Sequence, residues 1–96
     1  MSTVALVHHH VADFDAWKAV YDGFRDLQRE HGVRHHHVWR SKDDPSTVVV
    51  VHTFDSDEAA RAFFDLPELR EAMADGGVDP SSVQAQFLDD VAGGAL

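Results

Sequence analysis

The 96-residue sequence contains no cysteine, which excludes disulfides, thiolate metal sites and cysteine nucleophiles. Basic residues are scarce: 8 Lys and Arg stand against 17 Asp and Glu, a formal charge of −9. A field of that sign repels phosphate backbones, so nucleic acid is not an expected partner. No apolar run approaches the roughly 20 residues needed to cross a bilayer. The first residues lack the basic flank and cleavage site of a secretory leader. The sequence therefore reads as a soluble, cytoplasmic protein with no membrane partner.

What the chain has in excess is histidine, with eight residues. In "VALVHHHVAD" an apolar, strand-like run ends in His8, His9 and His10. A second triplet, His35, His36 and His37, opens another such run, His52 ends a third, and His31 stands apart. Both triplets lie inside patterned segments, which argues against an expression tag.

At this length residues 1–96 make one small domain. Such a domain buries a modest share of its surface, and a partner subunit is a natural source of further burial.

Thr3 to Val11 is short and rich in β-formers, giving strand one. From Asp13 to His31, Phe14, Trp17, Val20/Tyr21, Phe24 and Leu27 recur at intervals of three and four, the stripe of one amphipathic helix. Asp13 or Asp15 can cap its start, and Gly32 can supply a left-handed residue after its end. Val33 to Arg40 and Thr47 to Phe54 are strands joined through the turn residues of "SKDDPS". Asp55 to Glu58 fits a capping box with Asp55 as the cap. The helix it opens presents Ala59, Ala60, Phe63 and Phe64, is interrupted at Pro67, restarts at "PELREAM" and stops at Gly76 and Gly77. Val83, Ala85 and Phe87 alternate with Gln84 and Gln86 as strand four.

Strand, helix, strand, strand, helix, strand is the split β-α-β plan of the ferredoxin-like α+β fold. It predicts an antiparallel sheet in spatial order 4-1-3-2 with both helices on one face. The other face would be bare and rich in valine, and two copies packed through it as a dimeric α/β barrel would cover it. A homodimer is therefore expected.

The stretches "HHVADFDAWKAVYD", "VWRSKDDPSTVVVVHTFDS" and "EAARAFFDLPELREAMADGGV" together resemble small dimeric α/β-barrel proteins of the antibiotic-biosynthesis-monooxygenase-like and polyketide-cyclase-like group. The resemblance runs from about Val7 to Phe87. It implies a small-molecule ligand pocket between helices and sheet, within each subunit. Trp17, Tyr21, Phe24, Phe63, Phe64 and Met73 would line that pocket, and the histidine ending strand one, His9, matches a feature of the group. The group includes cofactor-independent oxygenases of aromatic polyketides, cyclases and haem-degrading enzymes. For the oxygenases the resemblance implies a substrate that becomes an electron-rich carbanion or phenolate and reacts with oxygen. For the cyclases it implies an enolate attacking a carbonyl.

Strand alternation places His8 and His10 on one face with His9 opposite, and His35 and His37 on one face with His36 opposite. His52 falls across from His35 or His36, a neighbour about 5 Å away. The first triplet sits at the far end of the antiparallel pairing, offset from His52 by about 7–13 Å. That spacing disfavours one metal ion bound by both, so no metal and no cofactor is assigned. Acid/base chemistry fits better, since an imidazole titrates near neutral pH and can take a proton from a phenol or activated methylene.

The candidates are His9 as base, His36 or His52 as its partner, and Trp39 or Gln86 as donors to a developing oxyanion. Arg34 and Arg40 could orient an acidic substrate or simply be solvated. Alternation alone does not settle whether His9, or instead His8 and His10, enters the pocket. The expected function is a monooxygenase- or cyclase-type enzyme acting on an aromatic or polyketide-like substrate. The alternatives are a haem- or metal-binding protein and a non-catalytic, ligand-binding or stress-associated dimer.

Overall fold

The computed structural model describes residues 2–96. Its strands are β1 (Thr3–His10), β2 (His35–Arg40), β3 (Thr47–Phe54) and β4 (Gln84–Asp89). They form one antiparallel sheet in the order β2-β3-β1-β4, which is the 4-1-3-2 arrangement of the ferredoxin-like plan. The helical segments are α1 (Phe14–Asp22), α2 (Arg25–Glu30), α3 (Asp57–Phe64) and α4 (Pro67–Asp75).

The two central strands fix which side chains face the helices. Thr3, Ala5, Val7 and His9 of β1 are buried on one side. Their β3 partners Phe54, His52, Val50 and Val48 point the same way, because directly paired residues share a face. Val11, Trp17, Val48, Val50 and Val78 form one part of the core, and Ala5, Phe54, Ala60 and Phe63 form the other.

The first helical region is two helices rather than one. α1 ends at Gly23, and Arg25 starts α2 after a single turn. The apolar stripe runs across the break, so periodicity alone reads as continuous, while the glycine loosens the helix locally. The start of α1 is capped by Asp13, whose carboxylate accepts from the amides of Asp15 at 2.9 Å and Ala16 at 3.2 Å.

The second region breaks at Pro67 as the sequence indicates, with Leu66 held extended at ψ 128° before the proline. Its cap, however, is Ser56, whose hydroxyl accepts from the Ala59 amide at 3.1 Å. Asp55, expected to cap, instead pairs with Arg34 at 2.7 Å. A carboxylate one residue too early cannot reach the free amides of the first turn, whereas a charged partner stands beside it at the entry to β2.

The end of β1 is held firmly. The Asp79 amide donates to the His10 carbonyl at 2.9 Å, the Ala12 amide donates to the Gly77 carbonyl at 3.0 Å, and Val11 bridges to Val78. Gly77 makes this return possible with φ +75°, a conformation that suits glycine. Gly76 lets α4 close on α1, since a Cβ there would lie 3.1 Å from the Trp17 ring.

Among the described residues, no helix covers the opposite face of the sheet. Val4, Leu6 and His8 of β1, Val49 and Val51 of β3, Trp39 of β2 and Leu88 of β4 share that side by register. Trp39 is 54% exposed and Leu88 41%.

Candidate active site

A cavity of about 70 Å³ lies between the sheet and the helices. Val7, His9, Val50 and His52 form its floor, Trp17, Tyr21, Phe24 and Gln28 one wall, and Phe63, Phe64, Leu69 and Met73 the other. The lining is almost wholly apolar, with four polar side chains set into it.

His9 is 3% exposed and its Nδ1 lies 2.9 Å from the Val48 carbonyl oxygen. A carbonyl can only accept, so Nδ1 carries the hydrogen and Nε2 of the neutral ring keeps a lone pair. Burial lowers the pKa of His9, and the Val48 hydrogen bond opposes that only in part. The ring is therefore a neutral base at neutral pH. Trp17 meets it edge-on at 5.7 Å and stacks on Tyr21 at 5.0 Å, so the aromatic wall fixes its orientation.

His52 is 6% exposed, and burial, followed by the charge of His36, pushes its pKa down to about 4. His36 and His52 are direct cross-strand partners on the helix-facing side. Between them stands the Tyr21 hydroxyl, 2.9 Å from Nε2 of His52 and 3.1 Å from Nδ1 of His36. Burial raises the Tyr21 pKa, with the Gln28 side chain and the Arg25 charge opposing, so the phenol stays protonated. The pKa of His36 is lowered, first by burial and then by Arg25, His37 and Lys18, against the pull of Asp22.

Trp17, Tyr21, Phe24, Phe63, Phe64, His9 and His52 thus surround one cavity, and His36 lies just outside it, reached through Tyr21. Met73 also lines it. Trp39 and Gln86 do not. Trp39 pairs with Val49 and Gln86 with Leu6, which places both on the sheet's uncovered face. Each has the opposite parity to its inward neighbour, Val38 or Phe87, so alternation puts it on the wrong side for an oxyanion in this cavity. Arg34 is engaged with Asp55, and Arg40 lies 4.5 Å over the Phe14 ring.

The residue that the sequence reading missed is Gln28. It is 3% exposed, lines the cavity, and its Oε1 has no hydrogen-bond partner among the described residues. The signal was a polar residue on an apolar stripe: Trp17, Tyr21, Phe24 and Gln28 follow one another at four, three and four.

His9 pairs with Val48 and His52 with Ala5, four positions apart along β1, or about 13 Å at strand rise. No group of three or more histidine, aspartate or glutamate side chains among the described residues is arranged to hold a metal ion. Among the described residues, no helix is long and apolar enough to cross a membrane.

The fold is that of a ferredoxin-like α+β protein with a small, partly open cavity between helices and sheet. The chain belongs to the antibiotic biosynthesis monooxygenase family, whose profile matches residues 4–75. Its backbone is similar to that of a proposed antibiotic biosynthesis monooxygenase from Chloroflexus aurantiacus, with 18% identity, coverage of 99% of this chain and 98% of that one, and a TM-score of 0.73. Rv0793 from Mycobacterium tuberculosis matches with 17% identity over 99% and 100% of the two chains, at a TM-score of 0.72. SnoaB from Streptomyces nogalater, described as a cofactor-independent oxygenase and solved as a point mutant, matches with 12% identity over 99% and 96%, at 0.70. These likenesses concern the fold. No curated protein sequence matches the chain.

Proposed function

We propose that the protein is a small-molecule monooxygenase in which His9 is the catalytic base and a phenolic or polyketide-like aromatic compound is the substrate. The observation that carries this reading is a buried, neutral His9 whose Nδ1–H is committed to Val48, which leaves Nε2 as the available base in an aromatic-lined cavity. Removing a proton from a phenol or activated methylene at Nε2 gives an electron-rich anion. In the oxygenase reading that anion reacts with oxygen, as the family membership and the description of SnoaB suggest. The free Oε1 of Gln28, an acceptor set among apolar side chains, is the group we assign to a hydroxyl hydrogen of the substrate, and it replaces Trp39 and Gln86 as the polar anchor of the pocket. His52 is the second acid/base group of the pocket.

The cavity is about half the roughly 150 Å³ of an engineered cavity that binds benzene. A ring therefore enters by displacing Phe64, Leu69 and Met73, which are half-buried on the α3–α4 side. A second copy of the chain is the partner we assign to the uncovered sheet face, whose apolar residues would otherwise form a contiguous exposed patch.

The test is oxygen uptake by the protein with a panel of naphthols and hydroxyanthracenes, beside His9→Ala and His9→Gln. Uptake that falls at least 100-fold in both variants is expected. Substrate turnover without oxygen uptake would move the assignment to a cyclase using the same base. Turnover unchanged in both variants would remove His9 from the mechanism.

A further inference from the structure

We propose that Tyr21 and His36 form a proton port that connects His52, in the pocket, to solvent. The inference rests on the acid/base reading of the pocket and adds the route by which a proton returns to it. Tyr21 has a single hydroxyl hydrogen, yet its oxygen lies within hydrogen-bonding distance of a ring nitrogen on each side, Nε2 of His52 at 2.9 Å and Nδ1 of His36 at 3.1 Å. A hydroxyl can donate to one nitrogen and accept from the other. The bridge therefore has two polarities: either His36 donates to Tyr21 and Tyr21 to His52, or the reverse.

The ends of the bridge differ in the way a conduit requires. His52 is buried and lines the cavity, and its ring meets Tyr21 through Nε2, which leaves Nδ1 as the nitrogen that would serve the cavity. His36 is exposed, at the mouth of the bridge, near the Lys18–Asp22 ion pair, Arg25 and His37. Burial, then the charges of Arg25, His37 and Lys18, disfavour the imidazolium of His36, against the pull of Asp22.

A proton passes inward in four moves. A solvent hydronium gives its proton to Nε2 of His36 and leaves as water, the Nδ1 hydrogen of His36 moves to the Tyr21 oxygen, and the Tyr21 hydrogen moves to Nε2 of His52. The Nδ1 hydrogen of His52 then goes to the substrate anion. One proton enters and one leaves, no electron is transferred, and the bridge resets when both rings exchange tautomers. Passing the proton through a neutral ring avoids a buried imidazolium at His52, the species that desolvation penalises most.

The experiment is exchange of the His52 ring N–H with water, measured by nitrogen-15 NMR on the whole protein without added ligand. It compares the natural chain with Tyr21→Phe and His36→Gln. Tyr21→Phe keeps the stacked ring and removes only the bridging oxygen, and His36→Gln alters an exposed side chain. Exchange at least 10-fold slower in both is expected, and a rate unchanged in either variant overturns the port. The oxygen-uptake assay on the same variants separates the two claims. Slow exchange with no turnover of any phenol would leave the port standing and remove the enzymatic reading. Normal turnover of a phenol by Tyr21→Phe would remove the port and leave the enzyme.

Discussion

His9 and Val48 are direct cross-strand partners, and the His9 ring turns back on the strand so that its Nδ1 meets the Val48 carbonyl at 2.9 Å. That contact decides the tautomer of a residue that sequence could place only on one of two faces. The expected outcome in nitrogen-15 spectra is a His9 ring protonated at Nδ1, with a midpoint below the usual 6.5 because burial disfavours its charged form. A ring protonated at Nε2 alone, or a midpoint at or above 6.5, would contradict the assignment of Nε2 as base.

The parity of the first triplet shows where sequence reasoning stops. On β1 both alternations are apolar, Ala5 and Val7 on one side and Val4 and Leu6 on the other, and three identical histidines add no contrast. The strand order was legible because its signals were of unlike kinds: strand alternation, a turn rich in aspartate and serine, and two helical stripes. The faces of Trp39 and Gln86 were legible in principle from Val38 and Phe87. Gln28 escaped because a stripe is read by its apolar members, and the break at Gly23 because the stripe does not register it.

Stability should fall as the medium is acidified from about pH 6.5 towards 4. The folded pKa of His52 is about 4, below the value of about 6.5 for an unfolded histidine, so in that window the unfolded chain binds the extra proton. The stabilisation is complete above 6.5 and lost as pH falls through 4, amounting to roughly 3 kcal/mol at 1.36 kcal/mol for each pH unit of displacement. The lowered pKa of His9 acts in the same direction. Urea titrations at several pH values should show this slope in the natural chain and a shallower one in His52→Leu. Equal slopes would mean that His52 titrates normally.

The helix cap gives a second contrast. Ser56→Ala removes the hydroxyl that accepts from Ala59 and should destabilise the fold by about 1 kcal/mol. Asp55→Ala removes only an exposed ion pair with Arg34 and should leave the melting temperature unchanged within error. A larger loss for Asp55→Ala than for Ser56→Ala, measured by thermal unfolding, would restore Asp55 as the cap.

The uncovered sheet face should carry the partner subunit. Trp39 is 54% exposed there and stacks on His37 at 5.6 Å. Trp39→Glu would set a charge on the apolar contact, and sedimentation should show a dimer in the natural chain and a monomer in the variant. A natural chain that is monomeric at tens of micromolar would leave the face without the assigned partner.

Gln28 offers the sharpest separation of stability from recognition. A buried carbonyl oxygen with no partner costs about 1–3 kcal/mol, and an apolar side chain of similar shape avoids that cost. Gln28→Met should therefore stabilise the protein, by about 1 kcal/mol or roughly 4–8 °C in melting temperature for a domain of this size. If Oε1 is there to accept from a substrate hydroxyl, the same variant should bind naphthols at least 10-fold more weakly while binding naphthalene as before. Thermal unfolding and calorimetry of the two ligands read the two effects separately. A variant that is less stable would show that the amide is already satisfied within the fold, and unchanged naphthol affinity would show that the pocket does not use it.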